Sequence, residues 1–136
     1  MKKIFIFLAL GLSLYAYNAT KVAHELNYLN SFDKGVALAQ KEHKMVMLVI
    51  VRDHCPWCKK LESETLTNKS VKNATSKFVK VIIDINQKMP KSFKSPIVPI
   101  VSFVDAKTKE ATWEAYGYRR VKDFLKDIKN AQDDEL

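Results

Sequence analysis

The stretch Met45-Val46-Met47-Leu48-Val49-Ile50-Val51-Arg52-Asp53-His54-Cys55-Pro56-Trp57-Cys58 decides how the rest of the chain is read. Met45 to Val51 is apolar throughout, without alternation. A strand apolar on both sides belongs in the middle of a sheet covered by helices on both faces. Arg52-Asp53-His54 ends that run, and the Cys-x-x-Cys opens a helix expected to reach about Thr65. Pro56 suits the first turn, where a missing N–H costs nothing. At such a junction Cys55 lies near a helix N-terminus, whose unpaired N–H groups and dipole stabilise a thiolate. Cys58 is one turn further on, so its sulfur returns beside that of Cys55.

That placement favours thiol–disulfide exchange. The Cys55 thiolate attacks a disulfide to form a mixed disulfide, and Cys58 then attacks that bond and releases the product. An inert disulfide is the blander reading, but closing so short a loop stabilises little. A metal site would need ligands beyond two thiolates. His54 adjoins the pair, but His24 and His43 lie far upstream, and the chain has no second Cys-x-x-Cys and no His-x-x-His. The expected site therefore holds no metal and uses no cofactor.

Upstream, Val22, Leu26 and Leu29 recur at helical spacing, as do Phe32, Val36 and Ala39. They predict one or two helices over about 20–43, with Gly35 a weak point. Downstream, 68–77 reads as a helical turn or two, 78–85 as a second buried strand and 86–96 as a loop carrying Lys and Pro. Strands at 100–104 and 111–116 form a hairpin. Val121, Phe124, Leu125 and Ile128 place an apolar stripe on a final helix. Pro99 stands directly before the third strand, where a proline is tolerated only at the start or the edge. A cis peptide after Val98 would turn the chain there and present the Val98 backbone to the site.

The chain has 136 residues, 47% of them hydrophobic and 28% charged, with 2 Cys and a formal net charge of +8. One core is affordable and a second domain is not. The cysteines are too few to staple the fold. Met1-Lys2-Lys3 followed by an apolar Ile4–Leu14 run and small residues at Ala16 and Ala19 matches a secretory signal peptide. Residues 1–19 are expected to be that leader, cut after 16 or 19, and 20–136 to be the working domain. The apolar run is short for a membrane span, and no second one follows. Export places the cysteines in an oxidising compartment, here the periplasm. The positive charge is scattered, with no nucleic-acid motif and no phosphate-binding glycine loop. The Asn-x-Ser/Thr matches at Asn18, Asn68 and Asn73 are treated as chance.

Cys55-Pro56-Trp57-Cys58 after an apolar strand, with Val98-Pro99 before a hairpin and terminal helix, resembles the thioredoxin superfamily over about residues 20–130. Within it, 51–85 is most similar to exported thioredoxin-like proteins of the SoxW type and to the C-terminal domain of the DsbD reductase. The resemblance implies an α/β thioredoxin fold: a central mixed sheet of four to five strands flanked by helices on both faces. It also implies that Cys55 is the nucleophile and Cys58 the resolving residue. Pro56 and Trp57 would tune the redox pair, Pro99 would be the cis-proline against it, and Val98 would hydrogen-bond the substrate backbone.

Two departures stand out. Thioredoxin itself carries Gly-Pro between its cysteines and a buried Asp six residues before the first, where this chain has Pro56-Trp57 and Val49. Asp53, His54 or Lys59 could take over the proton-handling role. Proline followed by an aromatic residue also resembles glutaredoxins (Pro-Tyr) and the oxidase DsbA (Pro-His), although the chain is too short for a DsbA-type helical insertion. The implied activity is exchange or reduction of protein disulfides, with disulfide formation or a non-catalytic thiol- or metal-binding module as alternatives. The implied partners are protein thiols and disulfides and a membrane or periplasmic redox partner. Nucleic acid is not implied, nor is stable membrane insertion after cleavage, and the expected state is a monomer.

Overall fold

The structure is a computed structural model describing residues 17–133. Most of the expected leader lies outside the described residues. No helix among those described is long and apolar enough to cross a membrane.

The apolar run becomes β1, Val46–Val51, and every one of its residues is buried. Its alternation divides two cores. Met47, Val49 and Val51 face a cluster containing Val101, Phe103, Leu61, Phe124 and Ile128. Val46, Leu48 and Ile50 face another built on Phe32, Val36, Ala39, Val81 and Ile83. Burying each such side chain contributes about 1.5–3 kcal/mol. Only a central strand can use both faces of its pleat in this way, and β1 is central.

The sheet order is β2-β1-β3-β4, where β2 is Val79–Asp84, β3 is Ile100–Val104 and β4 is Ala111–Tyr116. β1 and β2 run parallel, with Val46 opposite Val79. β3 is antiparallel to β1, with Val49 opposite Val101, and β4 closes the hairpin on β3. The 78–85 and 100–116 readings thus correspond to real strands, in a sheet of four.

The N-terminal helical region is two helices, α1 (Ala19–Leu26) and α2 (Phe32–Glu42). The break falls at Asn27, which takes a left-handed φ of 57° as the C-cap of α1, and Ser31 caps α2. Leu29 therefore leaves the helical stripe. It pairs in parallel with Val81 on the outer side of β2, a bridge that begins but does not extend a fifth strand. Gly35 is no weak point. It sits inside α2 with the Cγ2 of Val81 so close that a Cβ would overlap it. Its missing side chain lets α2 lie directly on the sheet.

The helix opened by the cysteines is α3 (Pro56–Lys60), and it continues as π-helix over Leu61–Leu66. α4 (Lys69–Ala74) leads to β2, and a 3₁₀ turn at Lys91–Phe93 interrupts the following loop. There Phe93 is buried against Phe32, with ring centroids 5.5 Å apart. α5 (Val121–Asp133) buries Phe124 and Ile128 as its stripe requires. α2 covers one face of the sheet, while α1, α5 and the α3–α4 region cover the other.

Candidate active site

β1 ends at Val51, and a short turn carries the chain into α3. His54 holds a left-handed φ of 56° in that turn, a conformation that His tolerates better than β-branched residues. Cys55 follows as the extended N-cap, with φ −102° and ψ 101°. Its sulfur accepts the Cys58 backbone N–H at 3.2 Å. Side-chain capping of a helix start is normally done by oxygen; here a sulfur does it.

Cys55 and Cys58 are joined as a disulfide, their Cα atoms 5.2 Å apart. The two cysteines are not equally enclosed. Cys55 is 8% exposed and Cys58 only 1%, the latter sunk among apolar residues of the core under α3. An approaching group therefore meets Cys55 first.

The Val98–Pro99 peptide is cis. Pro99 is buried, and its carbonyl accepts the Gly117 N–H at 2.8 Å, which ties the start of β3 to the end of β4. Val98 is half-buried and packs against the cluster that contains both cysteines. Ile97, just before it, is exposed.

Trp57, between the cysteines, is 57% exposed. Its indole lies against Tyr118 from the β4–α5 loop, with ring centroids 5.9 Å apart and planes at 34°. The Lys60 ammonium sits over both rings, 5.3 Å from the Trp57 centroid and 4.8 Å from that of Tyr118. The Tyr118 hydroxyl donates to Glu64 at 2.6 Å, and that bond holds the phenol above its usual pKa. Next to Glu64, the buried Thr65 hydroxyl donates to the Arg119 carbonyl at 2.6 Å. Arg119 in turn grips Asp127 of α5 through Nε at 2.7 Å and Nη2 at 3.0 Å, and the Trp113 indole N–H donates to the same carboxylate.

Sequence reasoning did not find Tyr118, Lys60 or Glu64. One signal was present: Trp57, Lys60 and Glu64 fall at i, i+3 and i+7, a single stripe. Nothing in the sequence showed that a loop 54 residues away would lie along it.

Asp53, His54 and Lys59, the candidates for proton handling, are exposed. Glu62, one turn beyond Cys58, is half-buried. Burial, helped by the charge of Glu25, raises its pKa. Among the described residues no three His, Cys, Asp or Glu side chains cluster to hold a metal ion. A cavity of about 580 Å³ lined by Gln40, His43, Lys44 and Lys107 opens near Met45, at the opposite end of β1 from the cysteines.

The family described as thioredoxin-like matches residues 27–106, more than half of the chain and inclusive of both cysteines and Pro99. This chain belongs to the thioredoxin-like family. Its fold is the thioredoxin fold, as solved structures also show. A thioredoxin from Thermus thermophilus is 22% identical with a TM-score of 0.69, covering 77% of this chain and 86% of that one. The protein described as DsbH oxidoreductase is 16% identical with a TM-score of 0.62, over 77% and 83%. The oxidised DsbD C-terminal domain from Neisseria meningitidis is 22% identical with a TM-score of 0.60, over 73% and 94%. None of the curated proteins matches this thioredoxin-like chain by sequence.

Proposed function

We propose that the protein is a periplasmic thiol–disulfide oxidoreductase that reduces or exchanges protein disulfides through Cys55 and Cys58. The observation that carries this reading is the asymmetry of the pair: Cys55 keeps some exposure as the N-cap of a helix, and Cys58 is enclosed a turn behind it. In the reduced protein the Cys58 N–H and the first turn of the helix stabilise a Cys55 thiolate. That thiolate attacks a substrate S–S bond, forming the Cys55–substrate disulfide and expelling one substrate thiolate. Cys58, deprotonated, then attacks the Cys55 sulfur, closing the Cys55–Cys58 disulfide and expelling the second substrate thiolate. Two electrons pass to the substrate, and a dithiol redox partner returns them by the same exchange. Val98 and Pro99 would receive the substrate backbone beside the pair, while Pro56 and Trp57 set its environment.

The test is catalysis of insulin reduction by purified protein with dithiothreitol as reductant, together with the midpoint potential of the pair. Turnover with a potential near about −270 mV supports a reductase, and one near about −120 mV moves the protein to disulfide formation. No turnover and no exchange with glutathione would overturn the reading.

Export rests on the leader read at the N-terminus. Tyr17 is buried in the core, and the Asn18 side chain caps α1 by accepting from the Thr20 and Lys21 N–H groups. Cleavage after Ala16 keeps both residues, whereas cleavage after Ala19 removes the cap, a loss of about 1 kcal/mol. N-terminal sequencing of the exported protein is therefore expected to begin at Tyr17. A start at Thr20 would refute this choice of site.

A further inference from the structure

We propose that Trp57, Lys60 and Tyr118 form a docking platform selecting disulfide substrates whose reactive cysteine is flanked by an apolar side chain and a carboxylate. The proposal rests on the oxidoreductase reading above and specifies the substrate class of that site.

Three observations converge on it. Trp57 is a large apolar side chain left in water beside the reactive sulfur, although the core beneath it is closed. Solvent exposure alone would leave its indole free to change rotamer. Tyr118 lies against the ring, and Tyr118 is itself anchored by its hydrogen bond to Glu64. The backbone following it is held to the π-helix by Thr65. An aromatic surface fixed in this way loses little conformational freedom when a partner stacks on it.

The third observation is charge. Lys60 lies over both rings, yet no ion pair engages it among the described residues. Glu64, the carboxylate nearest along the same helical stripe, accepts from Tyr118 instead. A cation held over two rings without a direct ion pair favours a partner that brings a carboxylate. The ring faces take an apolar side chain and the ammonium takes an acid, both within reach of a polypeptide crossing Cys55. Lys60 and Tyr118 are thus specificity-determining residues for peptide substrates.

The experiment uses the reduced full-length mature protein and synthetic peptides closed by one disulfide. The peptides are identical except beside the first cysteine, where they carry Phe-Asp, Phe-Lys or Gly-Asp; bis(2-hydroxyethyl) disulfide is the small control. For the wild type, the second-order rate constant with Phe-Asp is expected to exceed the other two by about fivefold to tenfold, as single aromatic and charge contacts permit. Raising the salt concentration should shrink the Asp-over-Lys preference. Lys60→Glu is expected to reverse that preference, and Tyr118→Leu to bring Phe-Asp and Gly-Asp within about twofold of each other. Tyr118→Phe, which keeps the ring but drops the bond to Glu64, should lie between and serves if the leucine variant is unstable.

Equal wild-type rates on all three peptides, with bis(2-hydroxyethyl) disulfide still reduced, would overturn the platform alone. Preferences that survive Lys60→Glu and Tyr118→Phe unchanged would overturn it as well. So would a dimer in solution that buries Trp57, since the platform would then be an interface between copies. Failure to react even with the small disulfide would overturn the oxidoreductase reading and the platform with it.

Discussion

Insulin reduction by a Cys58→Ser variant is expected to stop after a single attack, leaving protein joined to substrate through Cys55. With Cys55→Ser, turnover should fall by on the order of a thousandfold or more with no adduct at all, as when the nucleophile of a covalent mechanism is removed. The difference follows from depth. Cys55 is the more exposed of the two, so in the proposed mechanism it forms the mixed disulfide and Cys58, one turn away, breaks it. Non-reducing electrophoresis and intact mass would read the adduct directly. Serine places a hydroxyl among apolar side chains at a site 1% exposed, costing about 1–3 kcal/mol, so Cys58→Ala should be run beside it. Adducts forming equally well through Cys58 in Cys55→Ser would reverse the assigned roles.

The central strand was legible because its seven-residue apolar run has no alternation, and a run of that kind has one stable location. The α5 stripe was legible for the complementary reason, a 3.6-residue period with polar residues between. The N-terminal helices were harder. Leu29 fits the helical period of Val22 and Leu26, yet Asn27 turns left-handed and hands Leu29 to the edge of β2. A competing tertiary partner decided it, and periodicity does not see partners. Gly35 shows the same limit from the other side. Glycine lowers helix propensity by about 1 kcal/mol relative to alanine, so the sequence reads as weakness what is close contact with Val81.

At the site, the residues adjacent in sequence were the readable ones. Cys55, Pro56 and Cys58 declare a helix start carrying two sulfurs, and the cis peptide before Pro99 was anticipated from a proline standing where a strand begins. The platform beside them was not readable, because it is assembled by closure of the β4–α5 loop onto the π-helix. Asp127 escaped for a related reason: a charged residue inside an amphipathic helix is assigned to solvent by default. Here it is 3% exposed, which identifies it as a tie rather than a solubilising charge.

That tie leads to the second large effect. Asp127→Ala is expected to destabilise the protein by about 2–4 kcal/mol, because it strips the acceptor from the Arg119 guanidinium and the Trp113 indole N–H together. The value should lie below that of a fully enclosed pair, since the Arg119 side chain is 34% exposed and water can take over some of its donors. Asp127→Asn, which retains one acceptor oxygen for Trp113, should lose less. Urea unfolding with an unchanged m-value would measure both. The loss should also reach the site, because Arg119 is the residue whose carbonyl accepts from Thr65 and whose neighbour Tyr118 fixes Trp57. At temperatures where Asp127→Asn is still folded, Trp57 should become more mobile, detectable as lower fluorescence anisotropy when Trp113 is replaced by Phe in both proteins compared. An Asp127→Ala variant as stable as wild type would mean that Arg119 and Trp113 find equal partners in water. The β4–α5 loop would then need another anchor to hold the aromatic surface beside Cys55.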